Sequence, residues 1–385
     1  MTATRPIHEL KAAVVGTGFV GMVHIDAIRR LGVEVVGVAG LPQDTVAAAA
    51  FAPAYDSFEA VLADPRVDVV HLATPNHLHF PQALAALEAG KHVVCEKPLT
   101  TTAEDSATLV AAAERTGLVN CTNFSLRFYP LVQEARERIA SGSLGEVWNI
   151  HGGYLQDWLA LPDDWNWRLE GDKGGSLRAV ADIGSHWLDT AQFLAGRRIV
   201  EVFADLATAI PVRRRPAGEV QTFAAAGAVE RVDAPMTTED IGHILVRFDG
   251  GARGSCVVSQ VSFGRKNALR IEVDGSRGAL AWDSERNEEL WLGHRDRANE
   301  LLQRNPALLG PAAAATTRLP AAHGEGYADT FRELYRAVYA DAARGGPSAR
   351  PGYPTFQDGH SANVLCEAAA RSHSERRWIE IPASI

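Results

Sequence analysis

Lys97 lies in Cys95-Glu96-Lys97-Pro98, directly after the short apolar run His92–Cys95. Such a run is typical of a buried strand in a parallel sheet. In open α/β sheets ligands bind outside the carboxyl ends of the strands. The sequence therefore predicts that the Lys97 ammonium group lies over a cofactor cleft.

Asp182 and His186 form a second chemically informative pair, because residues four apart share one face of a helix. An imidazole can take up a proton near neutral pH, and a neighbouring carboxylate can orient it. A lysine ammonium group can stabilise a developing alkoxide. With a hydride acceptor these groups could oxidise an alcohol, so we predict that Lys97, Asp182 and His186 are catalytic. The alternative is an ordinary helix pair and a surface lysine.

A candidate site for the hydride acceptor is Gly16-Thr17-Gly18-Phe19-Val20-Gly21, which fits G-x-G-x-x-G between an apolar strand and a helix. In this motif the first glycine permits a tight turn, the second lets a pyrophosphate approach the backbone, and the third lets the helix pack on the strand. The amino terminus of the helix attracts the phosphate charge. We predict dinucleotide binding by Gly16, Gly18, Phe19, Val20 and Gly21. The alternative is a glycine-rich structural turn.

The segment that ends the second predicted strand, Val38-Ala39-Gly40-Leu41-Pro42, bears on the choice of cofactor. It holds neither an acidic residue for the ribose hydroxyls nor an Arg or Lys for a 2′-phosphate. A phosphate depends on charge-assisted partners more than a ribose hydroxyl does. The missing cations therefore favour NAD over NADP.

Thr74-Pro75-Asn76-His77 follows another predicted strand, at the same sheet edge as Lys97. Thr74 and Asn76 could hydrogen-bond the ribose or amide of the cofactor, although Asn76 could simply cap the next helix. Glu96 could bond a ribose hydroxyl or pair with a nearby cation. Thr74, Asn76, Glu96 and Lys97 are thus further candidate cofactor ligands, whereas His79 is expected on the helix surface.

Short apolar runs alternate with helical patterns from Lys11 to Asn123, which predicts a doubly wound parallel sheet of the Rossmann type in residues 1–124. The predicted strands are Lys11–Val15, Val33–Val38, Val67–Ala73, His92–Cys95 and Leu118–Thr122. The predicted helices are Val20–Leu31, Gln43–Ala50, Ser57–Ala63, His77–Glu88 and Ala103–Thr116.

Strand-like segments dominate after Phe124, several of them beside turn signals such as Asp249-Gly250-Gly251. We predict an α+β domain over residues 125–385, with a large open, mostly antiparallel sheet and helices on one face. A helix is predicted at Leu131–Ala140, and strands are predicted at Val147–Tyr154, Ile199–Ala207, Ile241–Phe248, Ala252–Val261, Leu269–Asp274 and Gly278–Asp283. The other face of an open sheet must be solvated or covered. We expect a homo-oligomer, a dimer or tetramer, formed through it.

The composition narrows the class of partner. A chain of 385 residues exceeds the size at which one core stops growing, which favours two domains. The net charge of -9 argues against a nucleic-acid or anionic-membrane binder and favours a small-molecule partner. No stretch approaches the roughly 18 apolar residues of a membrane span, and the start of the chain does not resemble a secretory signal.

The four cysteines, Cys95, Cys121, Cys256 and Cys366, are scattered, with no pair at metal-ligand spacing. We therefore predict no metal site and reduced thiols in a cytoplasmic protein. The run Arg213-Arg214-Arg215 is expected to be a solvated loop.

Four features together resemble the Gfo/Idh/MocA oxidoreductase family. They are the glycine motif at Gly16–Gly21, the segments Ala73–His77 and Cys95–Pro98, and the spacing of Asp182 and His186. The resemblance covers nearly the whole chain. It implies a Rossmann domain, a large mixed-sheet domain and catalytic roles for the lysine, the aspartate and the histidine.

Within that family the segments Tyr154–Trp158, Trp165–Arg168 and Gly324–Tyr327 are similar to the levoglucosan dehydrogenase branch, whose members oxidise a ring hydroxyl to give a 3-keto sugar. The candidate substrate contacts are Gln156, Trp158, Trp165, Arg168 and Tyr327. Flat aromatic rings with amide and guanidinium donors suit the apolar faces and hydroxyls of a sugar. The aromatic residues could equally pack in a core, and Gln156 and Arg168 could serve buried hydrogen bonds or a salt bridge.

Three functions are compatible with these residues. The first is an NAD-linked dehydrogenase that oxidises a secondary hydroxyl of a cyclic sugar or polyol. The second is a sensor that binds NAD and sugar without turnover, against which Lys97 and His186 argue. The third is a redox-neutral, glycosidase-type enzyme that retains NAD and releases an aglycone after a transient oxidation.

Overall fold

The structure is a computed structural model that describes residues 5–40, 48, 50–217 and 230–383. The chain divides into two compact units. The first unit comprises the residues up to Ser125 together with Asp172–Gly175 and Ala328–Asn363. The second unit comprises Leu126–Gly171, Ser176–Tyr327 and the residues from Val364 onward.

The first unit contains a five-stranded parallel sheet. Its strands are β1 (Lys11–Val15), β2 (Glu34–Ala39), β3 (Val69–Leu72), β4 (His92–Cys95) and β5 (Asn120–Thr122). They lie in the order β2-β1-β3-β4-β5, in which the chain reverses direction across the sheet between β1 and β3. This is the switch point at which doubly wound sheets bind nucleotides.

Helices connect these strands, as expected for parallel pairing. They are α1 (Phe19–Arg30), α2 (Phe58–Ala63), α3 (Asn76–Glu88) and α4 (Ala103–Thr116). The helix predicted at Gln43–Ala50 lies largely outside the described residues. The apolar sides of the strands and helices form one continuous core, in which Val70, Val93 and Leu109 are fully buried.

Residues 328–363 cluster with the first unit, although the division made from the sequence places them in the second domain. They include most of α9 (Tyr327–Ala342) and the beginning of α10 (Phe356–Glu375). The Arg30 guanidinium donates to the Asp329 carboxylate at 2.6 Å. The Asn363 amide donates to the backbone oxygen of Thr100 at 2.7 Å.

The second unit contains a nine-stranded sheet in the order β15-β14-β13-β12-β6-β11-β10-β7-β16. Its strands are β6 (Val147–Leu155), β7 (Ile199–Ala207), β10 (Ile241–Phe248), β11 (Arg253–Ser259), β12 (Ala268–Gly275), β13 (Ala279–Asp283), β14 (Glu289–Gly293), β15 (Glu300–Gln303) and β16 (Ile379–Glu380). β6 and β11 pair in parallel, and the other neighbouring strands of this sheet pair antiparallel. The predicted α/β fold class, with a Rossmann sheet followed by a large, mostly antiparallel sheet, is confirmed.

Helices cover one face of the second sheet. The described helices between Pro130 and Ala315 are α5 (Pro130–Ala140), α6 (Gly171–Gly174), α7 (Ser185–Ala195) and α8 (Pro311–Ala315), and most of α6 belongs to the first unit. α5 packs on β13 and β14, and α7 packs on β6 and β12. Along each strand, side chains that point to the other face of the sheet alternate with side chains of the core. In β10, for example, Leu245 points away from the core and is 45% exposed. Self-association through that face stays a prediction.

The expectation that Arg213-Arg214-Arg215 forms a solvated loop is wrong. These residues lie in β8 (Val212–Pro216), which pairs with β9 (Arg231–Pro235). The Arg213 side chain is buried and donates to Asp240 at 2.7 Å. Arg214 and Arg215 are exposed, and Arg214 pairs with Asp163. The run of like charges thus splits between core and surface, because the carboxylate of Asp240 offers Arg213 a buried partner.

The four cysteines are buried and free of disulfides, as predicted. None of the helices within the described residues has both the length and the apolar character required to span a bilayer.

Replacing Arg213 by Gln is expected to lower the free energy of unfolding by about 3 kcal/mol, because the buried Asp240 carboxylate and the Leu161 carbonyl lose a charged hydrogen-bond donor. The adjacent Arg214→Gln is the matched control, and an exposed ion pair contributes no more than about 1 kcal/mol. Urea unfolding followed by tryptophan fluorescence measures both variants. Equal losses would contradict the difference in burial.

Candidate active site

The glycine motif turns tightly between β1 and α1. Gly16 has φ +92°, and a Cβ built there would lie 2.4 Å from the Ala73 carbonyl oxygen. A Cβ on Gly21 would lie 2.0 Å from the Gly16 carbonyl oxygen. Both positions therefore require glycine, because the turn packs against the end of β3 and the helix packs against the turn.

The remaining space at this turn fits a dinucleotide. A Cβ on Gly18 would meet no described atom within 4 Å, so the backbone is open to an approaching group. The neighbouring Thr17 hydroxyl is buried and has no hydrogen-bond partner among the described residues. α1 begins at Phe19, and its N-cap residue, Gly18, has no side chain that could cap the helix. A helix amino terminus without a side-chain cap is suited to a pyrophosphate.

The segment after β3 is held by side chains of the same unit. The Thr74 hydroxyl donates to Gln82 at 2.7 Å. Asn76 begins α3 and donates from its amide to the Gly174 carbonyl oxygen at 3.0 Å. The helix cap is Pro75, without a side-chain cap bond, so the alternative role of Asn76 as the helix cap is not what the structure shows.

His79 is buried, and the expectation of a surface histidine is wrong. Its Nδ1 lies 2.8 Å from the Pro98 carbonyl oxygen, and its Nε2 lies 2.8 Å from that of Thr74. Burial lowers the pKa of His79 although both carbonyls raise it, so a neutral ring donates to one carbonyl at a time. His79 connects the loop after β3 to the loop that carries Lys97.

Glu96 is almost fully buried at the end of β4, and its carboxylate is already engaged. Oε1 lies 3.1 Å from His24 Nε2 and accepts from the Asn123 amide, and Oε2 accepts the Lys97 backbone N–H at 3.2 Å. Burial alone raises the pKa of Glu96, but the hydrogen bonds from His24 and Asn123 and the nearby charge of Lys97 bring it down to about 2. Glu96 is therefore an ionised anchor beneath the half-buried Lys97, and the Lys97–Pro98 peptide bond is cis.

In the second unit Asp182 and His186 lie on either side of the point where a π-helical turn passes into an α-helix. Asp182 lies in a π-helical turn, Val180–Gly184, and His186 lies in the first turn of α7. π-helical turns are rare in proteins, and those that occur are often found at functional sites. Both residues are buried, and the Tyr154 ring lies beside the His186 ring, with centroids 6.0 Å apart.

Each oxygen of the Asp182 carboxylate accepts a hydrogen bond from a different side chain. The Arg168 guanidinium donates to Oδ1 at 3.2 Å, and the Gln260 amide donates to Oδ2 at 2.8 Å. Arg168 also lies over the Trp167 ring at 4.3 Å. These bonds fix the plane of the carboxylate one turn before His186.

Gln260 is itself held by a buried cluster of charges. Arg178 donates to the Gln260 oxygen at 2.9 Å and also donates to Asp240, which accepts from Arg213 as well. Burial raises the pKa of Asp240, but the charge of Arg178 and these hydrogen bonds lower it overall. Because Arg178 can only donate, it orients the Gln260 amide with its NH₂ group towards Asp182.

Two of the predicted substrate residues, Gln156 and Trp158, belong to one hydrogen-bonded group in the second unit. The Gln156 amide donates to Asn267 at 3.0 Å and accepts from the Trp158 indole at 2.8 Å. The Tyr154 hydroxyl donates to the same Asn267 oxygen at 2.5 Å. Asn267 thus holds Gln156 next to Tyr154, which borders His186.

The other two predicted substrate aromatics are half-buried. The Trp165 indole donates to Glu170 at 3.4 Å. Tyr327 begins α9. The substrate roles of Trp165 and Tyr327 stay predictions.

Two family models match the chain. Residues 10–124 match the family described as an oxidoreductase family with an NAD-binding Rossmann fold. Residues 132–281 match the Gfo/Idh/MocA C-terminal domain. The chain belongs to the Gfo/Idh/MocA oxidoreductase family.

Relatives of this oxidoreductase extend over its full length. Levoglucosan dehydrogenase of Pseudarthrobacter phenanthrenivorans is 30% identical over 98% of the chain and 99% of the relative. A solved levoglucosan dehydrogenase in complex with NADH and levoglucosan is 29% identical with a TM-score of 0.86, covering 97% of this chain and 99% of that one. An inositol dehydrogenase homologue from Azotobacter vinelandii, in complex with NAD⁺, is 26% identical with a TM-score of 0.83, covering 99% and 98%.

These findings confirm the resemblance drawn from the motifs and the presence of an NAD-binding Rossmann domain. Sequence reasoning did not single out Gln260, Arg178, His24 or Asn267. Their hydrogen-bond partners are distant in the chain, so no local motif marks these contacts. A signal existed for His24, which lies three residues after the glycine motif on the same helix.

Gly18→Ala and Gly21→Ala are expected to act in different ways. An Ala at Gly18 leaves the fold intact and weakens NADH binding, because its methyl group occupies the space that a pyrophosphate needs. An Ala at Gly21 lowers thermal stability, because its methyl group collides with the Gly16 carbonyl. NADH fluorescence titration and thermal unfolding separate the two effects, and a Gly18→Ala protein that binds NADH normally would contradict the assignment.

Proposed function

We propose that this oxidoreductase transfers a hydride from a secondary hydroxyl of a cyclic sugar or polyol to the nicotinamide of NAD, which gives a keto sugar. The observation that carries the proposal is the Asp182 carboxylate, clamped by Arg168 and Gln260 one turn before His186. A carboxylate immobilised in this way serves to orient a base and to stabilise its protonated form. The relatedness to levoglucosan dehydrogenase supports a sugar as the substrate.

Each residue has a distinct role in the proposed reaction. His186 accepts the proton of the substrate hydroxyl, Asp182 orients it, and the Lys97 ammonium group donates to the hydroxyl oxygen and stabilises its developing negative charge. NAD, when bound, supplies the hydride acceptor. Gly16, Gly18, Gly21 and the amino terminus of α1 would hold its pyrophosphate, with Thr74 and Asn76 next along the same sheet edge.

We propose NAD as the preferred cofactor over NADP. β2 ends at Ala39, and Gly40 lies so close to Thr17 that a Cβ there would be 2.5 Å from the Thr17 hydroxyl. The segment Val38–Pro42 contains no Arg or Lys to pair with a 2′-phosphate. A cytoplasmic location and a dimer or tetramer are further parts of the proposal, based on the reduced thiols and the open sheet.

The first test incubates the protein with NAD or NADP and a panel of cyclic sugars that includes levoglucosan. The proposal expects reduced nicotinamide to accumulate, more efficiently from NAD. Lys97→Ala and His186→Ala should each lower kcat by about 10²–10⁴-fold, the range for loss of acid–base and electrostatic catalysis. Lys11→Ala and His8→Ala are controls, since both side chains lie at the surface.

The same assay distinguishes the competing functions. Release of an aglycone without reduced nicotinamide would support the redox-neutral enzyme. Binding of NADH and sugar without turnover of any member of the panel would support the sensor. Unchanged rates in Lys97→Ala or His186→Ala would overturn the assigned roles.

Gln260 provides a second test of the proposed role of Asp182. Gln260→Glu keeps an acceptor for Arg178 but sets a carboxylate against Asp182 in place of a donor. Its activity at neutral pH should fall, and its rate relative to the native protein should recover as the pH falls, because protonation of either carboxyl group restores a donor. Gln260→Ala is the control, because its rate relative to the native protein should not change with pH. Identical pH dependence in both variants would contradict the hydrogen bond.

A further inference from the structure

Two histidines that the proposed reaction does not use lie in the interior of the first unit. His24 is on α1 and His71 is on β3, and both are completely buried. Buried polar groups are costly unless they are hydrogen-bonded. The partners of these two rings connect them to the loop that carries Lys97.

The two rings join Glu96 to Tyr339 in a continuous chain of contacts. His24 Nε2 lies 3.1 Å from Glu96 Oε1, and His24 Nδ1 lies 3.1 Å from His71 Nδ1. His71 Nε2 lies 2.9 Å from the Tyr339 hydroxyl oxygen. Tyr339 belongs to α9 and is fully buried.

Hydrogen-bond chemistry permits one neutral arrangement of this chain. The Glu96 carboxylate can only accept, so His24 must carry its proton on Nε2. His24 Nδ1 is then an acceptor, so His71 must carry its proton on Nδ1. His71 Nε2 is in turn an acceptor, and the Tyr339 hydroxyl must donate to it. Every bond therefore points from Tyr339 towards Glu96.

Aromatic packing keeps the rings in place. The Tyr335 ring lies 4.7 Å from His71 and 5.3 Å from His24 between centroids, and Phe331 lies 5.6 Å from His24. Burial and the proximity of His24 lower the pKa of His71 well below its usual value, which keeps that ring neutral. A neutral ring in a fixed orientation has one tautomer compatible with its neighbours.

We propose that Tyr339, His71 and His24 form a one-way hydrogen-bond chain that fixes Glu96 and thereby positions the backbone of Lys97. The proposal rests on the catalytic role of Lys97 in the proposed function. The link is the Glu96 Oε2 atom, which accepts the Lys97 backbone N–H at 3.2 Å while Oε1 is held by His24. A displacement of about 1 Å in a reacting group can cost about 10²-fold in rate, so a rigid anchor under Lys97 has a catalytic effect.

The chain also gives a role to residues 328–363, which the sequence alone did not connect to the cofactor half. Tyr339, from this later segment, brings the hydroxyl donor that ends the chain. Tyr339, His71 and His24 are positioning residues, since they act through Glu96 rather than on a substrate.

The tautomers are measured directly by long-range ¹H–¹⁵N correlation of the full chain labelled in histidine, without cofactor or sugar. The proposal expects His24 as the Nε2–H form and His71 as the less common Nδ1–H form, assigned with His24→Gln and His71→Gln. The opposite tautomer for His71, or a doubly protonated His24 at neutral pH, reverses the bonds and overturns the proposal.

Tyr339→Phe removes a single oxygen and tests the coupling to Lys97. We expect kcat with levoglucosan and NAD to fall by about tenfold, as for other residues that support an active-site group, with little change in the affinity for NADH. Tyr353→Phe is the matched control, because Tyr353 is a buried phenol of the same unit that donates to Asp341 instead. His24→Gln, which keeps a donor for Glu96, should retain more activity than His24→Leu.

A readout without turnover separates this proposal from the proposed function. Reductive ¹³C-methylation labels the few lysines of the chain, namely Lys11, Lys91, Lys97, Lys173 and Lys266. Tyr339→Phe should shift the Lys97 signal, assigned with Lys97→Arg, and Tyr353→Phe should not. If the native protein turns over no sugar but the tautomers and the Lys97 shift are as expected, the chain stands and the proposed function fails. An unmoved Lys97 signal, or equal kcat losses in both Tyr→Phe variants, overturns the positioning role.

Discussion

At the carboxyl edge of the first sheet, backbone segments pack directly against one another. This packing determines where the loops of the NAD-binding domain lie. Gly21 touches the Gly16 carbonyl, and Gly16 touches the Ala73 carbonyl, so the ends of β1 and β3 and the start of α1 share one small volume. A side chain at either glycine would separate them. The loops that carry Asn76 and Lys97 follow β3 and β4, and register pairs the ends of those strands, Leu72 with Cys95.

The second unit orients the Asp182 carboxylate by a different principle. Asp182 receives its hydrogen bonds from Arg168 and from Gln260, and Gln260 is oriented by Arg178 in a cluster with no exposed side chain. Burying these charges is costly unless each is paired, so the cluster tolerates few arrangements. The cluster restrains Asp182 through the Gln260 amide. That amide has one orientation, because its oxygen must accept from Arg178 and its NH₂ group must donate to Asp182.

The strands and helices that carry the motifs can be predicted from sequence periodicity. The hydrogen-bond partners of the motif residues cannot. β4, α4 and β10 have the predicted bounds almost to the residue, because apolar runs, a Thr102 cap and Gly117 mark where they begin and end. His79 and Arg213 were misplaced because each is polar yet buried by tertiary contacts. Such contacts join residues far apart in the chain, as His71 joins Tyr339, and no local pattern encodes them.

The π-helical turn at Val180–Gly184 has a consequence for how this part of the chain could have arisen. A π turn corresponds to one residue more than an α-helix accommodates in the same length, so it behaves as a single-residue insertion. Loss of one residue there would restore a regular α-helix, in which successive side chains are about 100° apart around the helix axis. A one-codon deletion would then keep the flanking elements in place while changing the direction of the Asp182 carboxylate relative to the His186 imidazole, which makes this turn a point where a relative could lose the proposed chemistry and retain its architecture.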